Sequence, residues 1–264
     1  MTDSYPKYFY KYRSISNLND LENDYSLEAL KNNFFIFSSR LNFNDLFDSK
    51  IELVKPSAKD FKEIIKLTGK SGRKNLGAYI ERGKLSPHGE DFIEDFEKKF
   101  NALIDSYAFL SLSSNPASNL MWSHYADSHK GFCIEYKSEF VKADKVYYRE
   151  EIPSLYIYDV IMQNFLPQSS DELGKYIWTA LRTKLKEWEY ESEYRYKSNQ
   201  FMGNLKLGQK FMKVYYESKF VESVIIGCRT PSSVKNYIIE NISSNIKIKQ
   251  AYVGKNKIEI KPIE

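Results

Sequence analysis

Aromatic rings alternating with charged side chains constrain this chain more than any other feature. YFYKYR (residues 8–13) and EYESEYRYK (189–197) repeat at a period of two. Successive side chains of a β-strand point to opposite faces, so this spacing predicts strands with one ring-bearing face each. The rings run through the whole chain: 21 Tyr, 17 Phe and 3 Trp make up 16% of 264 residues. That density excludes a disordered chain, which is poor in aromatics, and excludes collagen-like and coiled-coil architectures. A chain of this length buries about 70–75% of its unfolded surface and needs no covalent staples.

Further elements follow from local pattern. SLEALKNN (26–33) predicts a short helix with Ser26 as its cap, and FFIFSS (34–39) a second strand. NFNDLFD (42–48) is turn chemistry, because Asn and Asp bond their own backbone. Ser57 followed by Asp60 marks a capping box, with Phe61, Ile64 and Ile65 at helical spacing. Ser86-Pro87 opens another helix, with Phe92, Phe96, Phe100 and Leu103 as its inner stripe. YAFLSLSS (107–114), GFCIEYK (131–137), KADKVYYRE (142–150) and SLYIYDV (154–160) read as strands, with a short helix over NLMWSHYADSH (119–129). SSDELGKYIWTALRTKLKEW (169–188) reads as one helix. The tail reads as strand (221–227), helix (231–242) and two strands (246–253, 257–263). The expected architecture is a single α+β domain over 1–264, with a mixed or antiparallel sheet, flanking helices and a helical insert at 55–104.

Charge is nearly balanced, with 39 basic against 35 acidic residues. Its distribution is uneven. Residues 55–84 hold 9 Lys/Arg and 3 Asp/Glu, a local +6, whereas 85–100 hold 2 Lys and 5 Asp/Glu. The basic stretch 55–84 is a candidate surface for an anionic partner. Cys133 and Cys228 sit in apolar runs without metal-site spacing, which suits small core residues of a reduced, cytoplasmic protein. The first residues lack the apolar core of a signal peptide, and no run approaches the roughly 20 apolar residues of a membrane span, so no membrane partner is expected.

Four phrases taken together, FYKYRS (9–14), FNDLFD (43–48), SLSS…MWSHYADSHKGFCIEY (111–136) and KLKEWEYESEYR (184–195), resemble the bacterial domain-of-unknown-function family 2971. That family commonly has Asn-Asp-Pro-Phe-Glu where this chain has Leu46 and Asp48, so the stiffness of a proline is lost. The family name implies no activity, and chemistry must come from the residues.

Arg13, Ser111-Leu112-Ser113 and Glu191-Ser192-Glu193 resemble in order and type the Arg–Ser–Glu pattern of ADP-ribosyltransferases. That resemblance implies an ADP-ribosyltransferase-like fold with NAD as substrate, as in a toxin or phage-defence effector. It puts Arg13 on the phosphates, Ser111 and Ser113 (or Ser38-Ser39) in support, and Glu193 in catalysis, with Glu191 activating the acceptor. A carboxylate aimed at the ribose stabilises the cation that nicotinamide departure leaves. On one strand, Glu191, Glu193 and Arg195 would share a face, and Arg195 or Lys184 would neutralise the paired carboxylates. Tyr12, Trp122, Tyr125 and Trp188 supply rings for stacking on a nucleotide ligand. His124 is a candidate proton carrier and His129 a ligand contact. Asn44 and Asp45 either close a turn or reach a ligand. Two other classes stand beside this one. A metal-dependent nuclease would use Glu135 and Lys137 with Asp127, and a non-catalytic sensor would use the aromatic lining alone.

Overall fold

The computed structural model describes residues 4–163, 171–197, 205–206, 209 and 211–263. It divides into two units: residues 1–42, 108–148 and 186–264 form the first, and 43–107 with 149–185 the second. The helical segment 55–104 thus belongs to a larger body that also takes in 149–185.

The first unit is built on a mixed sheet. Its strands are β1 (Tyr8–Arg13), β2 (Phe34–Ser38), β3 (Phe109–Ser113), β4 (Phe132–Lys137), β5 (Glu193–Lys197), β6 (Phe211–Tyr215), β7 (Val221–Ile226), β8 (Lys247–Val253) and β9 (Ile258–Pro262), with a two-residue strand, Asp144–Lys145, antiparallel to β5. The strand order is β6-β2-β3-β1-β4-β7-β8-β9, and β5 pairs with β3. These pairs are antiparallel except β7 with β8. On one face Phe9, Phe35, Phe37, Leu110, Leu112, Phe132, Ile134 and Tyr194 pack with residues of helices α1 (Tyr25–Lys31) and α3 (Ser232–Asn241). The opposite face carries Tyr10, Tyr12, Cys133 and Ile225, packed with Met121 and Trp122 of helix α2 (Asn119–Tyr125). Strand alternation alone sorts these residues between the two faces.

β3 is the junction of this sheet. It pairs along five positions with β5, but touches β1 only at Ser113↔Tyr10 and β2 only at Phe109↔Ser38. Where the β1 pairing lapses, the Lys11 amine donates to the Ser111 carbonyl at 2.8 Å. A side chain there satisfies a backbone acceptor that a regular ladder would have satisfied.

The second unit has helices at Ala58–Leu76, Pro87–Ser106, Ile157–Gln163 and Asp171–Ala180, and a parallel pair of short strands, Glu52–Val54 with Ser154–Tyr156. Phe61, Ile64, Leu76, Ile93, Ile157 and Ile161 form one apolar cluster. Ile51, Phe100, Ile104, Leu155, Ile177 and Leu181 form another. The capping box at Ser57 and Asp60 forms as expected. The helix it opens is broken at Gly69, whose φ of 62° glycine adopts without strain.

Four local expectations are corrected. Asp24, not Ser26, caps α1, because its carboxylate accepts both the Ser26 and Leu27 N–H groups. Leu103 is exposed, and Ile93 and Ile104 take the buried stripe with Phe100. SLYIYDV is strand only to Tyr156 and helix from Ile157. The long helix ends at Ala180; residues 183–185 are strand and Lys186–Glu191 form a 3-10 turn. Residues 169–170 of that expected helix lie outside the described residues.

Candidate functional site

One register row crosses the α2-facing side of the sheet: Glu193, Ser113, Tyr10, Glu135, Ser223 and Lys247, each paired with the next across six strands. The first five are buried. Polar groups this deep must find partners or cost roughly 1–3 kcal/mol each. Glu135 accepts from the Tyr10 hydroxyl (3.0 Å), the Ser223 hydroxyl and the Lys249 amine (2.5 Å). Both oxygens of the carboxylate assigned to a nuclease centre are therefore engaged by protein donors. Lys137 pairs with Glu222 instead, and Asp127 lies beside Lys130 in the loop after α2. Among the described residues, no group of three His, Cys, Asp or Glu side chains could hold a metal ion.

The other end of the row holds the glutamates singled out from the sequence. Glu193 is 3% exposed, and Arg195, fully buried, grips it through Nε (2.9 Å) and Nη2 (3.2 Å). The Arg195 guanidinium lies 4.5 Å over the Phe109 ring. This two-point grip fixes the Glu193 carboxylate in place. The Tyr148 hydroxyl accepts from the Glu193 N–H at 2.8 Å.

Glu191 does not share that strand, as the alternation had implied. It ends the 3-10 turn Lys186–Glu191, and Ser192, at φ 47°, turns the chain before β5 begins. The Ser113 hydroxyl donates to the Glu191 carbonyl at 2.7 Å, and the Tyr125 hydroxyl donates to its carboxylate at 2.5 Å. The Ser-x-Ser strand and the Glu-x-Glu segment thus lie side by side, Ser113 opposite Glu193 and Ser111 opposite Arg195. Lys184, the other cation considered for these glutamates, is buried in an ion pair with Asp48 at 3.4 Å in the second unit.

Aromatic groups stand over this end of the sheet. Trp122 is fully buried, donates its indole N–H to the Pro116 carbonyl (2.8 Å) and meets Tyr12 edge-on at 5.1 Å. The Tyr12 hydroxyl donates to the Asn115 carbonyl at 2.6 Å. His124 is exposed, with Nδ1 3.1 Å from the Tyr190 hydroxyl, and Tyr190 is followed 6.1 Å away by the Trp188 ring. His129 lies outside the helix. It closes a left-handed run, Asp127, Ser128 and His129 at φ 45°, 51° and 71°. Its Nε2 is 3.1 Å from the Ser123 hydroxyl, and its ring is parallel to Trp122. Burial, with Arg229 adding to it, lowers the His129 pKa and favours the neutral ring.

Arg13 is not at this site. It faces the opposite side of β1 from Tyr10 and Tyr12, opposite Phe132 in register. Lys11, a residue the sequence reading passed over, leaves β1 on the same side as Arg13, yet its amine bonds the Ser111 carbonyl beside β5 and feels both Glu193 and Glu191. Burial, helped by Arg13, pulls the Lys11 amine down to about 7 against the opposing pull of Glu193 and Glu191. Between about pH 7 and 10.5 the folded protein therefore binds fewer protons than the unfolded chain, so stability rises with pH across that window. Urea unfolding of Lys11→Met from pH 7 to 10.5 will lack that rise. An unchanged slope would place its source elsewhere.

Asn44 and Asp45 belong to the second unit. There the Asp45 carboxylate accepts the Phe47 N–H at 2.8 Å and closes the expected turn. No helix among the described residues is long and apolar enough to cross a membrane.

Fold and site together define an α+β protein whose buried glutamates meet a serine strand beneath an aromatic helix. Residues 121–196 match the model of a family described as "Protein of unknown function (DUF2971)". The matched segment holds all of MWSHYADSHKGFCIEY and KLKEWEYESEYR, whereas FYKYRS, FNDLFD and SLSS lie outside it. No curated protein and no solved structure matches the chain.

Proposed function

We propose that this chain is an ADP-ribosyltransferase-like enzyme that takes NAD as substrate, with Glu191 as its acting carboxylate. The observation that carries the reading is the pairing of Ser111-Leu112-Ser113 with the Glu191–Arg195 segment, locked by the Ser113 hydroxyl on the Glu191 carbonyl. Glu193, gripped by Arg195, serves as an anchor, while Glu191 faces a tyrosine hydroxyl. An ionised carboxylate held this way stabilises the ribosyl cation as nicotinamide leaves. Tyr190 and Trp188 are only partly buried and offer ring faces to a flat heterocycle. The test is release of nicotinamide from NAD, with and without cell extract as acceptor. Wild-type protein that neither binds nor cleaves NAD sinks the proposal.

A second reading, a non-catalytic nucleotide-binding module, is favoured by one observation. Arg13, the residue expected on the phosphates, lies on the other side of the sheet. Saturable NAD binding without turnover selects this reading.

The basic stretch supplies a further part of the proposal. Lys59, Lys62, Lys66, Lys70 and Arg73 are all exposed at helical spacing, broken by the kink at Gly69. We assign this row to an anionic partner. Heparin binding will weaken steeply with salt, and Lys62→Glu with Lys66→Glu will reduce it by about tenfold or more. Retention equal to wild type would remove the row from consideration.

A further inference from the structure

The helix Ala58–Leu76 holds its cations apart from any anion. Lys59, Lys62, Lys66, Lys70 and Arg73 are exposed, and none of them enters an ion pair among the described residues. At 3.6 residues per turn, Lys59, Lys62 and Lys66 fall within about 60° of one another. Lys70 and Arg73, three apart, share a face again beyond the kink at Gly69. Glu63 is exposed beside the row, four residues after Lys59 and three before Lys66.

A second element adjoins this helix. The hairpin of Ile80–Glu81 with Lys84–Leu85 turns on Arg82 and Gly83, at φ 48° and 82°. Two left-handed residues in a two-residue loop match the twist of the strands and fix the tip. A Cβ on Gly83 would stand 3.5 Å from the Lys62 amine, so the tip lies against the row. Lys84 is exposed there and also enters no ion pair among the described residues.

Six unpaired cations on two adjoining elements repel one another, and a partner with regularly spaced anions relieves that repulsion. From Lys59 to Lys66 the helix rises about 10 Å, the run of about three phosphates along one strand of a duplex. A lipid surface fits less well. The helix buries Phe61, Ile64 and Leu76 in the second unit's own core, which leaves Leu67 as its one large exposed apolar side chain. An unpaired strand also fits less well, because it needs open ring faces for its bases. Phe61 is fully buried, and Tyr79 packs its ring against Phe61 and, stacked at 4.7 Å, against Phe92. Resting on the assignment of this row to an anionic partner, we propose that the row and the hairpin tip bind the phosphate backbone of double-stranded nucleic acid. Lysine meets phosphate as a point charge, so the binding is independent of sequence.

The experiment measures fluorescence anisotropy of a labelled mixed-sequence DNA duplex from about 50 to 200 mM NaCl. Wild type will bind, and log Kobs will fall against log salt with a slope of about −5, close to 0.9 for each of the six cations. Lys66→Ala and Lys84→Ala will each flatten that slope by about 1, and a duplex of unrelated sequence will bind equally. Lys55→Ala is the control, because Lys55 pairs with Glu97 at 3.0 Å, and it will keep the wild-type slope. Glu63→Gln will tighten binding severalfold, since it removes an acid from beside the phosphates. The proposal is overturned if the single strand or phosphatidylserine vesicles bind more tightly than the duplex, or if Lys66→Ala and Lys84→Ala keep the wild-type slope. Retention on heparin without duplex binding overturns it while leaving the anionic-partner assignment in place. Binding to neither sinks both.

Discussion

Arg195→Met will destabilise the fold by about 3–5 kcal/mol, because it takes from the Glu193 carboxylate, 3% exposed, the guanidinium that grips it at two points. The cost comes from the abandoned charge and not from lost attraction. Taking two ions out of water is expensive, and their mutual attraction roughly offsets that expense. Removing one leaves only the penalty. Glu193→Gln with Arg195→Met, which removes both charges at similar volume, will recover most of the loss. Urea unfolding of the two single variants and the double variant measures this. If the double variant is as unstable as the sum of the singles, the pair is not the coupled unit the 2.9 and 3.2 Å contacts describe. The Phe109 ring under the guanidinium will then lie against a methionine, a contact that keeps the packing.

Glu191→Gln will lower NAD turnover by about 100-fold or more while leaving stability close to wild type. The amide keeps shape and volume and still accepts the Tyr125 hydroxyl through its oxygen. What it loses is the negative charge that a developing ribosyl cation needs. NAD affinity will change far less than turnover, because the charge acts on the transition state and not on the bound substrate. Glu191→Gln that cleaves NAD at the wild-type rate would remove Glu191 from the chemistry. A matching loss of turnover and melting temperature would mark it as a structural residue. Glu193→Gln gives the contrast: its loss of activity will come with a loss of stability, because it removes the charge that the buried Arg195 guanidinium grips.

The strands were legible where period and composition agree. FYKYR, FLSLS, FCIEY and EYRYK all form strands, since alternation fixes which side chains face which layer without help from the rest of the chain. The Ser57–Asp60 cap was legible for the same local reason. Glu191 was misread because EYESEYRYK continues a period of two through Ser192, where the chain in fact turns at φ 47°. Propensity carries no signal for a left-handed residue that packing holds in place. The helix expected through 169–188 stops at Ala180 although its leucine spacing continues. His129 was placed on a helix by spacing, and a three-residue left-handed run removes it.

The sequence by itself determined the rings, the faces of each strand and the presence of an Arg, a serine strand and a glutamate pair. Local rules suffice for these, because each depends on a few neighbouring residues. Only the tertiary structure decided which of them meet. Register aligned Glu193, Ser113, Tyr10, Glu135 and Ser223 in one buried row, although they come from five separate strands. It also put Arg13 on the far face, since three residues separate it from Tyr10 and an odd step on a strand reverses the side. Alternation was written in FYKYR from the start. Which face held the glutamates depended on pairing partners 80 or more residues away, and no local pattern encodes that.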